Sequence, residues 1–100
     1  MNTEPAFIAR VLKALSNDRR RMILSFLQSG EKTVGDIVQN LHIAQSTLWH
    51  HLKVLLKIGL VTTRKEDLKM HYSINVEESE KVASLMRQFI MTATDESDTK

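Results

Sequence analysis

One hundred residues with 42% hydrophobic content suit one compact domain, small enough to expose much of its surface and to gain stability by association. The chain has no cysteine, which excludes a disulfide framework, thiolate metal ligands and thiol redox sensing. It also has no apolar run of the roughly 20 residues that a membrane-spanning helix needs, and Met1-Asn2-Thr3-Glu4-Pro5 lacks the basic and apolar pattern of an export signal, so a cytoplasmic location is expected.

Net charge is only +2, but the closing hexapeptide Asp95-Glu96-Ser97-Asp98-Thr99-Lys100 is acidic, which leaves the preceding residues at +4. Lys53, Lys57, Arg64, Lys65 and Lys69 and all four histidines fall between His42 and Asn75. A basic middle suits a polyanionic partner, although charge alone also describes an ordinary solvated face. Pro5 is the single proline and there are only three glycines, so long stretches are free of helix breakers.

In chain order, Thr3 is expected to cap a first helix in which Phe7, Ile8, Val11, Leu12 and Leu15 recur at helical spacing, ending near Ser16-Asn17. Asp18 is expected to cap a second helix over about 19–29, with Met22, Ile23, Phe26 and Leu27 as its apolar stripe and Gly30 as its stop. Thr33 with Asp36 three residues on reads as a capping box for a short third helix that buries Val34, Ile37, Val38 and Leu41. After His42-Ile43-Ala44, residues 45–58 place Leu48, Leu52, Leu55 and Leu56 on one side of a fourth helix and Ser46, His50, Lys53 and Lys57 on the other, with Gly59 as the stop.

From Leu60 the period changes. Leu60–Arg64 and Met70–Ile74 are short β-prone runs that read as a two-stranded hairpin. Helical spacing returns with Val82, Leu85, Met86, Phe89, Ile90 and Ala93. The expected architecture is mainly α with a small β-hairpin, in the order α-α-α-α-β-β-α: one domain over 1–94 and a disordered acidic tail over 95–100. A short helix, a three-residue turn and a longer helix with a polar outer face form a helix-turn-helix, and the hairpin beside it is a wing.

Three motifs carry a resemblance. Residues 12–24, Gln45-Ser46-Thr47-Leu48-Trp49-His50-His51-Leu52-Lys53-Val54-Leu55, and the pair Gly59-Leu60-Val61 with His71-Tyr72-Ser73-Ile74 are similar, in that order, to the second helix, recognition helix and wing of the ArsR/SmtB family. The resemblance implies a sequence-specific, DNA-binding transcriptional regulator in which Gln45, Ser46, Trp49 and His50 face the major groove. Gln is suited to adenine and Ser to either base or phosphate. Thr47, Lys53, Lys57, Arg64, Lys65 and Lys69 are expected at the DNA backbone. The first and last helices, through Phe7, Ile8, Val11, Leu85, Phe89 and Ile90, are expected to pair two chains into a homodimer that represses from an inverted-repeat operator.

The sequence also departs from that family. Trp49 replaces a small hydroxyl residue, so its ring either meets a thymine methyl or tilts aside. Ala44 replaces a serine cap and Asp67 a wing-tip glycine. The third helix lacks cysteine and the last carries Glu77, Glu78 and Glu80 without histidine, so both familiar metal sites are missing. No metal, cofactor or catalysis is expected, since no nucleophile, phosphate-loop or metalloprotease pattern is present. The alternatives are a repressor answering to an effector or metal at a non-standard site, and a winged helix serving a partner protein.

Overall fold

The computed structural model describes residues 5–98, with side chains from 6 to 92; the cap expected at Thr3 lies outside them. The elements are α1 (Pro5–Leu15), α2 (Asp18–Leu27), β1 (Lys32–Thr33), α3 (Val34–Leu41), α4 (Gln45–Lys57), β2 (Val61–Glu66), β3 (Lys69–Ile74) and α5 (Val76–Asp98). The sequence order holds, with three adjustments that have physical reasons.

First, α2 is capped by Asn17, whose Oδ1 accepts the Arg20 N–H at 3.0 Å, and not by Asp18. Asp18 sits in the first turn, where its carboxylate faces the helix dipole and pairs with Arg21. Second, the hairpin is part of a three-stranded antiparallel sheet in the order β1-β3-β2. Lys32 pairs with Tyr72 and Thr33 with His71, a two-residue strand too short to leave a period in the sequence. Third, α5 continues to Asp98, into the stretch expected to be a disordered tail. Neither Gly nor Pro follows Asn75, so nothing in the chain stops the helix before that point.

The turn into α3 forms as its residues dictate. Thr33 Oγ1 accepts the Asp36 N–H at 3.2 Å while Asp36 accepts the Thr33 N–H at 2.9 Å, and that bond holds the Asp36 carboxyl below the ordinary range. His42 takes the left-handed conformation (φ 55°) to end α3, and Ile43, only 1% exposed, plugs the core between α3 and α4. Gly59 ends α4 at φ 85°, a conformation that favours glycine, and a Cβ there would stand 3.0 Å from Glu78 Cγ and press on that side chain.

The core is built from α1 (Val11, Ala14), α2 (Ile23, Leu27), α3 (Ile37), α4 (Leu48, Leu52, Leu55), the sheet (Val61, Tyr72) and Val82 of α5. This placement corrects the expected dimer face. Val11 is fully buried and Phe7 and Ile8 are 6% and 5% exposed inside a single chain, so they are used mainly by their own core and leave little surface for a second copy. A stripe of apolar residues at helical spacing looks the same whether it faces its own core or a partner. Of the other expected positions, Phe89 and Ile90 on α5 are exposed and Leu85 is half-buried, and Leu12 on α1 and Met91 on α5 add exposed apolar surface.

The wing turns through Asp67 (φ 52°) and Leu68 (φ 68°), the two positive φ angles that a two-residue hairpin turn of matching twist requires. Leucine is poorly suited to that conformation, and its side chain, 90% exposed, gains almost no burial in return. Leu68→Gly is therefore expected to stabilise the fold by about 0.5–1 kcal/mol, after allowing for the greater unfolded-state freedom of glycine. Thermal unfolding of the two proteins checks this; an unchanged or lower midpoint would show that the turn imposes no such cost.

Candidate nucleic-acid interface

Helix α4 separates its side chains sharply. Leu48, His51, Leu52 and Leu55 are buried, while Gln45, Ser46, Thr47, Trp49, His50, Lys53 and Lys57 are exposed. At about 100° per residue, Ser46, His50, Lys53 and Lys57 fall at the centre of the outer face, directly opposite the buried ridge. Gln45 and Trp49 lie along one edge of that face and Thr47 along the other. Ala44 provides no side-chain cap, so the first turn of α4 leaves its amide groups to other acceptors.

Of the two alternatives for Trp49, its ring tilts aside toward the sheet. It meets Tyr72 edge-on, with centroids 6.5 Å apart and planes at 71°, and remains 44% exposed. Together with Leu68, Lys69 and Met70 of the wing and Val34 of α3 it lines a shallow hollow of about 290 Å³. Trp49 thus joins the recognition helix to the wing.

The basic residues divide into two sets. Lys53, Lys57, Lys65 and Lys69 are exposed and form no ion pair among the described residues. Arg64 is different, because its Nε and Nη2 donate to the two carboxylate oxygens of Glu31 at 2.7 and 2.8 Å and its Nη1 donates to Glu66. Those bonds raise the arginine's pKa, and the same Arg64 bond holds the Glu31 carboxyl below its ordinary range. The expectation that Arg64 is a phosphate contact is therefore revised: its charge is already matched by two carboxylates. Glu31 lies 33 residues away in sequence, and no local pattern announces the pair.

Sequence reasoning also missed the contact that seats α4 on α2. Arg20 Nε donates to Nδ1 of the buried His51 at 3.1 Å, and its Nη1 reaches the Ala14 carbonyl at 3.4 Å. His51 must therefore be neutral, with its proton on Nε2. Of the neighbouring arginines, Arg21 bonds Asp18 and the Leu15 carbonyl, and Arg19 is exposed. The His50 and His51 rings are tilted at 59° with centroids 5.9 Å apart, and among the described residues no three of His, Asp and Glu gather closely enough to hold a metal ion.

A helix-turn-helix whose second helix presents a polar and basic face, flanked by a basic hairpin, defines a winged-helix DNA-binding protein. The profile described as "Bacterial regulatory protein, arsR family" matches residues 17–63, which run from the cap of α2 into the wing. The chain is 36% identical over 83 residues to the "Transcriptional activator HlyU" of Vibrio cholerae, covering 83% of this chain and 77% of that protein. It is 31% identical over 80 residues to the "Transcriptional repressor SdpR" of Bacillus subtilis, covering 80% of this chain and 89% of that one. The solved structure of reduced HlyU from Vibrio cholerae superposes with a TM-score of 0.65 at 36% identity, covering 81% of this chain and 86% of its own. The chain belongs to the arsR family of bacterial regulatory proteins. It is a DNA-binding transcriptional regulator and not an enzyme.

Burial pushes the pKa of His51 below its ordinary 6.5, with the charges of Arg20, His50 and Arg19 acting in the same direction. A histidine pKa lowered by folding contributes stability above the unfolded value, and that stability is lost as pH falls through the folded value. Urea unfolding at pH 7.5 and pH 5 is therefore expected to show a loss at the lower pH that is smaller in His51→Gln. An equal loss in both proteins would assign the acid sensitivity to other groups.

Proposed function

We propose that the chain acts in the cytoplasm as a homodimeric repressor that binds an inverted-repeat operator, with Gln45, Ser46 and His50 reading base edges. Thr47, Lys53, Lys57, Lys65 and Lys69 contact phosphates, and Trp49 lies at the junction of helix and wing. The observation that carries this reading is the outer face of α4. Its polar side chains project opposite a buried leucine ridge, and its lysines are unpaired among the described residues.

Two such helices must be set about 34 Å apart to enter successive major grooves, which requires a two-fold partner. Leu12 of α1 and Leu85, Phe89 and Met91 of α5 supply exposed or half-buried apolar surface for it. Repression is the direct consequence of occupying a promoter. The relatives include proteins named as an activator and as a repressor, so the sign of regulation is part of the proposal. Neither a metal nor a cofactor enters this reading.

Fluorescence anisotropy against DNA from the chain's own promoter and a scrambled control, across salt, tests it. Ser46→Ala/His50→Ala is expected to reduce the preference for promoter DNA by about tenfold or more while keeping the salt dependence. Lys53→Ala is expected to weaken both DNAs alike and to lower the slope of log affinity against log salt by about one. If the native protein binds neither DNA at low salt, the reading fails and a protein partner takes its place.

A further inference from the structure

Beside the DNA face, and sharing Lys57 with it, α1, α2, α4 and α5 line an open hollow of about 780 Å³, within the range of small-molecule sites. Arg10 and Lys13 of α1, Arg20 of α2 and Lys57 of α4 converge on it, against one carboxylate, Glu78 of α5. Arg10, Lys13 and Lys57 form no ion pair among the described residues, so four cations share one hollow with a single counter-charge. Such a concentration of like charge is unfavourable until an anion enters it. The wall between these charges is apolar: Arg10 rests on the ring of Phe7, 5.7 Å from its centroid, and Ile58 closes the α4 side.

We propose that this hollow binds a small organic anion, an apolar body bearing a carboxylate, sulfonate or phosphate group, and that its occupancy weakens DNA binding. A DNA backbone offers phosphates but no apolar body for the hollow's wall, which is why a small ligand fits better than an extension of the DNA footprint. On α1 the hollow faces away from the apolar surface assigned above to pairing. Leu12 is two residues from both Arg10 and Ala14, about 200° around α1, so the pairing face and the hollow lie on opposite sides of that helix.

Two routes lead from the hollow to the DNA face. Lys57 belongs to both the hollow and the outer face of α4, and an anion beside it removes a charge that a phosphate would use. Arg20 also lines the hollow while donating to His51, so an anion that draws its guanidinium outward loosens the contact seating α4 on α2. The second half of the proposal rests on the DNA-binding reading; the first does not.

The test uses the full chain and 8-anilinonaphthalene-1-sulfonate, an aromatic body with one sulfonate, as probe. The expected result is a saturable fluorescence increase with one site per chain, weakened about tenfold in Arg10→Glu/Lys13→Glu. Lys81→Glu, on the adjoining hollow beside Glu78, is expected to change it by less than about twofold. Arg10→Gln/Lys13→Gln serves if the reversed pair does not fold. At saturation the probe should reduce promoter affinity by about fivefold in the native protein and not in the double variant.

No saturable signal, or equal weakening by Lys81→Glu, overturns the site. A double variant that loses DNA affinity with no probe present also overturns it, because the hollow would then belong to the DNA footprint. If the probe binds as expected and the native chain binds no DNA, the anion site stands and the regulator reading falls.

Discussion

The structure depends on how firmly α4 is held by one side. A 13-residue helix is marginal alone in water, so its position comes from burial of Leu48, Leu52 and Leu55 against α2, α3 and the sheet. Ile43 enters the same core from the turn before the helix, and Gly59 lets the chain leave without disturbing Glu78. Fixing the inner face leaves the outer face free to be almost wholly polar. The residues proposed to read DNA are therefore separate from those that secure the helix, which lie on its opposite, buried side.

A polar contact sits inside this apolar seat. His51 occupies one of the four buried positions of α4 and accepts a hydrogen bond from Arg20, so the register of α4 on α2 is set by a directional bond as well as by packing. Leucines alone fill space and tolerate small slips. A hydrogen bond, here of 3.1 Å, depends on direction as well as distance. The guanidinium that makes this bond also faces the cationic hollow, which places the helix seat and the anion site in one side chain.

Features encoded by neighbours in sequence were legible without coordinates. The Thr33–Asp36 capping box, the apolar face of α4, its glycine stop and the change of period at the wing all follow from spacings of a few residues. What stayed hidden involved long-range partners. Arg64 reads as a free cation until Glu31 is brought beside it, and Trp49 had two open orientations until Tyr72 was placed next to it. Phe7, Ile8 and Val11 share their spacing with an interface stripe, and only the packing of α1 into the core separates the two uses. The cap of α2 moved by one residue because Asn17 and Asp18 are both good caps, and local chemistry does not rank them.

Thr33 occupies two structures at once. As a strand residue it pairs with His71 of the sheet, and as an N-cap it holds the first turn of α3. The wing and the helix-turn-helix thus share a residue, and the Glu31–Arg64 pair adds a second tie one strand away. The two parts behave as the fixed jaws of a caliper: opening the angle between them means breaking a sheet rung or a helix cap. On the proposed binding mode, a duplex whose grooves are spaced differently would have to bend or twist to fit, and DNA shape would be read along with base sequence.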